Sequence, residues 1–359
     1  MVTADVTKKP QIRTANVRNA LNRFLLIDAT RTAGKKGATR FLRLAAVSRA
    51  QLAAVRRSAR GLRFVLGRPG WRAKMDVGFG APTVEFAVSP PEMVAIAKLL
   101  PVHVEFGFDV RWEATVDSEL FERIGKFVNG LSFHHYSVFH IFYQFIKAVT
   151  TRNQLKELEC SWSYLEHFRP LQLDRFVMQG MQVDYDELAR HKIRRLDASM
   201  DEICRVFPDD RVLSASITSL GLVHHHDLFT ASPARIDRFC RRFTALEELH
   251  IMGNFPTKNQ DVVAHLKAVW SKCLKIRDRL DVPGLQRVFF TTERPTSFEI
   301  PQPSPDWLER VQAATPWNKA TFVVASSGKR VRMFLKHNEP RGPTPTFVRF
   351  QADFSWTKW

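Results

Sequence analysis

The chain has 359 residues, 45% of them hydrophobic, which is enough to bury one large core or two and excludes both a disordered chain and a small disulfide-stapled scaffold. The net charge of +18 is unevenly placed: residues 1–74 carry 18 Lys and Arg against only Asp5 and Asp28, leaving 36 basic and 34 acidic residues in the remainder. Such asymmetry points to an acidic partner for the N-terminal end, nucleic acid or an acidic protein surface. Four scattered cysteines, Cys160, Cys204, Cys240 and Cys273, show neither a C-x-x-C pair nor a short metal-ligand spacing, and each reads as a small core residue in a reducing compartment.

In chain order, residues 1–37 form a basic arm with one helical stretch at VRNALNRFLLID. The arm lacks the continuous apolar region of a secretory signal, although its richness in arginine and poverty in acid is shared by mitochondrial targeting segments. No run approaches a membrane span, so the expected location is cytoplasmic or nuclear. Residues 38–60 read as a helix whose apolar side holds Phe41, Leu44, Ala45, Leu52 and Val55.

From residue 61 to 318 a six-residue pattern recurs: apolar residues at positions one, four and six. It is clearest in LEELHI (Leu246, Leu249, Ile251) and is repeated in VNGLSF from Val128, LKELEC from Leu155 and LDRFVM from Leu173. It returns in IRRLDA from Ile193, ITSLGL from Ile217 and LQRVFF from Leu285. Weaker relatives are LRFVLG from Leu62, APTVEFAV from Ala81 and PVHVEF from Pro101. The intervals are 19, 20, 27, 27, 18, 20, 24, 29 and 39 residues, most at or near the period of about 20–29 of leucine-rich repeats. Helix-like stretches fill several intervals: SPPEMVAIAKLL, DSELFERIGKF, SPARIDRFCRRFT with Ser232 as N-cap and Pro233 in the first turn, and TKNQDVVAHLKAVWSKCLKIRD.

Strand then helix, repeated, predicts an α/β fold: an irregular leucine-rich-repeat-like solenoid of parallel strands with helices on the convex side. In such a strand alternate side chains point opposite ways, so positions four and six face the core while their neighbours face out. One unit cannot bury its apolar face alone, so the units must stack. Residues 319–359 change character: KATFVVASSGKRVRMFLK predicts a hairpin and TPTFVRFQADFSW a further strand, together a small antiparallel β cap.

Three features together resemble nematode-type F-box and leucine-rich-repeat-like proteins: FLRLAAVSRAQLAAV ahead of the array, the irregular L-x-x-L-x-L units, and the terminal hairpin SSGKRVRMFL followed by FVRFQADFSW. The resemblance implies that residues 38–60 are an F-box-like helical segment docking on the adaptor subunit of a cullin-RING ubiquitin ligase, through Leu42, Leu44, Val47, Leu52 and Val55. It also implies that the repeats hold a protein substrate.

The outward strand residues are the binding candidates. They are Glu157 and Glu159, Arg175 and Val177, Arg195 and Asp197, Glu248 and His250, and Arg287 and Phe289. Adjacent histidines in LVHHHDLF (His224, His225, His226, with Asp227) cannot converge on one ion, and those of SFHHYSVFH (His134, His135, His140) read as surface residues at strand ends. No metal, cofactor or catalytic residue is expected, because no phosphate-cradling, nucleophile-elbow or zinc-helix motif occurs, and GFGAP is only a loop. The expected function is therefore non-enzymatic protein binding. A nucleic-acid-associated protein, with phosphates held by Lys8, Lys9, Arg13, Lys35, Lys36, Arg56, Arg57 and Arg60, is the alternative. An enzyme whose solitary catalytic groups leave no motif is the third class.

Overall fold

The computed structural model describes residues 60–67, 70–76, 84–107, 118–133, 136–152, 154–179, 185–199, 216–227, 232–254, 262–292, 296–298, 319–324, 330–338 and 347–356, with isolated positions 42, 43, 53 and 212. The fold is mixed α/β, with a mostly parallel sheet that does not close on itself. The chain divides into two compact units, Met1–Val128 and Asn129–Trp359.

In the first unit, β1 (Arg60–Gly67) pairs antiparallel with β2 (Gly70–Asp76), which pairs antiparallel with β3 (Val84–Ala87). Strand β4 (Val102–Phe106) lies parallel to β1 on its other side. APTVEFAV is thus not a parallel repeat unit, as its spacing predicts, but an antiparallel strand beside β2. Two residues separate β1 from β2 and seven separate β2 from β3, and a parallel pair needs a crossover of about a dozen, so the chain turns straight back each time. Gly70 opens β2 with φ of 145°, a backbone that side-chain-bearing residues rarely adopt. Helix α1 (Pro90–Leu99) begins where Ser89 and Glu92 meet: the Ser89 backbone N–H donates to the Glu92 carboxylate at 2.9 Å and its hydroxyl at 2.7 Å. Helix α2 (Ser118–Gly125) adds Phe121 to an aromatic cluster with Trp71 and Phe106, ring centroids 6.1–6.4 Å apart. Of the helix expected over 38–60, Leu42, Arg43 and Ala53 are helical and the rest lies outside the described residues, except Arg60, which belongs to β1.

The second unit is built on strands that follow one another in space as they do in sequence. They are β5 (Val128–Ser132), β6 (Glu157–Ser161), β7 (Gln172–Gln179), β8 (Lys192–Ser199), β9 (Ser219–Asp227), β10 (Glu248–Asn254) and β11 (Arg287–Thr292). Each pairs parallel with the next, and the pairing carries one column of apolar residues through all of them: Leu131, Leu158, Phe176, Leu196, Leu220, Leu249, Val288. A second column runs from Ala198 through Leu222 and Ile251 to Phe290. Every member is buried. These are the fourth and sixth positions of the recurring pattern, and the leading residues Leu155, Leu173, Ile193, Ile217, Leu246 and Leu285 are buried with them. Burying each such side chain stabilises the fold by about 1.5–3 kcal/mol.

Just ahead of the strands a backbone ladder ties neighbours together. The carbonyl of Asn129 accepts from Lys156 N–H, Thr218 from Glu247, and Glu247 from Gln286, at 2.7–2.9 Å. Between strands lie α3 (Tyr136–Ile141) and α4 (Tyr143–Thr151), a 3-10 helix (Trp162–His167), α5 (Tyr185–Arg190), α6 (Pro233–Cys240) and α7 (Val262–Arg277). Helix α6 starts after Ser232 with Pro233 in its first turn, as its sequence predicts, and buries Ile236, Phe239 and Cys240. Helix α7 buries Leu266, Val269, Trp270 and Cys273.

The C-terminal strands differ from the expected cap in one respect. Strands β13 (Lys319–Val324), β14 (Arg330–Asn338) and β15 (Phe347–Trp356) form the predicted antiparallel meander. Yet β15 also pairs parallel with β11, placing Val348 beside Val288 and Phe350 beside Phe290. The last strand therefore extends both core columns, and the hairpin is added beyond it. A short β12 (Thr296–Phe298) pairs with the far end of β15.

Candidate functional site

The face of the sheet opposite the apolar columns carries two rows of side chains. In one, Glu157, Arg175, Arg195, Ser219, Glu248, Arg287 and Phe347 stand side by side in strand register. The second row holds Glu159, Val177, Asp197, Gly221, His250, Phe289 and Arg349. All ten residues proposed for binding from sequence lie in these rows, because each occupies the third or fifth place of a unit and strand alternation sends both places to one face.

At the centre, Asp197 takes both neighbouring arginines. Arg175 Nε donates to Oδ2 at 2.5 Å and Arg195 Nε to Oδ1 at 2.9 Å. The carboxylate side chain is 6% exposed, whereas the arginines are 39% and 28% exposed. Room for it comes from Gly221: a Cβ there would sit 1.8 Å from Asp197 Oδ1 and 3.3 Å from an Arg195 terminal nitrogen.

Toward β11 the character shifts. Glu248 accepts from Arg287 Nη2 at 2.6 Å, and its other oxygen lies 3.4 Å from His250 Nε2. The His250 ring stacks on Phe289 with centroids 4.4 Å apart, and Phe289 meets Phe347 at 5.7 Å. Burial holds the His250 pKa below its ordinary value, and Arg195 pushes it the same way, against the opposing pull of Glu248. The ring is thus neutral near pH 7, and its stack on Phe289 forms an apolar surface. At the opposite end Glu159 is held by Ser132 Oγ at 2.8 Å and Gln179 Nε2 at 2.9 Å. The face runs from acidic through a paired-charge centre to aromatic.

The same alternation rule, applied to VNGLSF and ITSLGL, would have found Ser132, Ser219 and Gly221. Phe347 and Arg349 were hidden because Pro345 stands where the leading apolar residue of their unit belongs. Of the adaptor-docking candidates, Leu42 is helical and half-buried; Leu44, Val47, Leu52 and Val55 lie outside the described residues. His224, His225, His226 and Asp227 belong to β9. His140, expected at a strand end, is instead an exposed residue of α3. Among the described residues no group of three His, Cys, Asp or Glu side chains could hold a metal ion, and no helix is long and apolar enough to cross a membrane. Cys160, Cys240 and Cys273 are free and buried, and burial raises the pKa of each thiol. No protein-family model matches the chain, and a search among curated proteins finds no significant relative.

Proposed function

We propose that the chain is a non-enzymatic protein-binding module, an irregular leucine-rich-repeat-like solenoid whose outward sheet face receives a protein partner. The observation that carries this reading is the register: ten outward residues from five units, joined through Ser219 and Gly221 of a sixth, form two continuous rows on one face, backed by two buried apolar columns. Side chains so held lose little freedom on binding, which favours affinity. The order of strands β5 to β11, each beside its successor in the chain, supports the repeat interpretation over a doubly wound sheet, where strand order reverses.

The resemblance of residues 38–60 to an F-box segment extends the proposal to a substrate-recognition subunit of a cullin-RING ubiquitin ligase. Affinity isolation of the full chain from its own cells tests both halves. Recovery of cullin and adaptor that is lost on deleting residues 1–60, with another protein lost on reversing Arg175, Arg195 and Arg287 to Glu, supports the proposal. Retention of every partner by both variants sinks it. The charge excess of residues 1–74 favours a second reading, binding to nucleic acid. That reading requires affinity for duplex DNA that falls steeply with salt and disappears with the same deletion.

A further inference from the structure

Resting on the reading of the sheet face as a protein-docking surface, we infer that the docked segment carries an Asp or Glu carboxylate, received by the Arg175–Arg195 pair. Asp197 engages each guanidinium through Nε only. Both planes are thereby fixed, while their terminal amino groups, which present paired donors, make no hydrogen bond among the described residues. Ser219 supplies an independent sign. It sits in register between Arg195 and Glu248, is 8% exposed, and its Oγ has no hydrogen-bond partner among the described residues. A buried hydroxyl left unpaired is costly, and a ligand oxygen beside Arg195 would satisfy it.

Charge selects the ligand. Two guanidiniums against Asp197 leave one positive charge; Glu157, in register with Arg175, offsets it on that side, so the uncancelled charge lies toward Arg195 and Ser219, beyond which Arg287 and Glu248 cancel and His250 is neutral. One carboxylate balances the centre. A phosphate dianion would exceed it and would face Glu157, in register with Arg175, and Glu248, in register with Ser219. Three strand spacings of about 4.8 Å separate the Arg195 strand from the Phe289 strand. An extended segment crossing them at about 3.4 Å per residue therefore places a bulky apolar residue about four positions from its acid.

The test uses the full chain and a phage-displayed library of random twelve-residue peptides. Selected peptides should share an acid about four residues from a bulky apolar residue. Changing that acid to its amide should weaken binding at least tenfold, and Arg195→Gln in the protein should weaken it equally without adding to the peptide change. Ser219→Ala, which removes no hydrogen bond among the described residues, should cost several-fold in affinity with thermal stability unchanged or raised. Peptides lost on Phe289→Ala but indifferent to their acids, to Arg195→Gln and to Ser219→Ala would overturn the carboxylate assignment and leave the docking surface standing. Tenfold tighter binding when phosphoserine replaces the acid would overturn it in favour of a phosphate receptor. Binders indifferent to Phe289→Ala as well, or no binders at all, would overturn both readings.

Discussion

The Asp197 carboxylate occupies the space that a side chain on residue 221 would need: a Cβ built on Gly221 would approach Oδ1 to 1.8 Å. A glycine on one strand thus admits a buried acid from the next, and that acid orients two arginines from two strands. Gly221→Ala should force Asp197 out of its place and destabilise the protein by about 1–3 kcal/mol, the usual cost of overpacking. Denaturant unfolding measures this, and the Gly221→Ala, Asp197→Ala double variant should lose less than the sum of the single losses. Simple additivity would show that the two residues do not compete for the same space.

Removing the acid tests the clamp directly. Asp197→Asn keeps the volume but leaves two neighbouring guanidiniums without a counter-charge. The loss should be about 1–3 kcal/mol, below that of a fully buried pair because both arginines are partly solvated and screened. The same change in an Arg175→Gln, Arg195→Gln background should cost much less, and an equal cost would assign the role of Asp197 to other contacts.

Alternation makes a sharp contrast on one strand. Leu249 and His250 are neighbours on β10, yet Leu249 lies in the buried column and His250 on the outward face. Leu249→Ala should cost about 2–5 kcal/mol through lost burial and the cavity left behind. His250→Ala should cost under about 1.5 kcal/mol, chiefly the contact with Phe289. Comparable losses would place both side chains in the core.

This contrast marks where the sequence was legible. Apolar residues at positions one, four and six tell which face a strand buries, so Leu249, Ile251 and the outward His250 were assigned correctly from LEELHI alone. The same spacing carries no information on strand direction. APTVEFAV satisfied it yet pairs antiparallel, and the sign lay instead in the seven-residue interval between Asp76 and Val84, too short for a crossover. The pattern places Ser219 and Gly221 outward but does not say what small residues do there. Gly221 and Ser219 shape the centre of the face by being small, a role visible only once Asp197 and Arg195 are beside them.

Acid should loosen the second unit through His191. Its ring is buried: the Leu171 N–H donates to Nδ1 at 3.0 Å, and Nε2 lies 3.1 Å from Glu187 Oε1, which fixes a neutral ring protonated on Nε2. Burial lowers its pKa below the ordinary 6.5, outweighing the opposing effect of Glu187. The unfolded chain therefore binds the proton first: the stabilisation is complete above about pH 6.5 and declines as pH falls toward the folded pKa. Protonating Nδ1 would also cost the bond from Leu171. Unfolding free energy should drop as pH falls below about 6.5, and His191→Gln should flatten that slope while lowering stability at pH 7. An unchanged slope would mean that His191 titrates alike in both states.

The buried thiols give the last expectation. Cys160, Cys240 and Cys273 each sit at 0% exposure, and burial raises the pKa of each, so the nucleophilic thiolate is scarce and screened from reagent. Cys160 belongs to the strand face that packs the core, Cys240 closes α6, and Cys273 lies along the buried side of α7. A thiol-exchange reagent such as dithiodipyridine should leave these three unmodified in the native protein at pH 8 and label all of them in denaturant. Their labelling should track global unfolding because each belongs to a different element of one packed unit. Rapid native modification of Cys240 alone would show instead that α6 opens independently of the sheet beneath it.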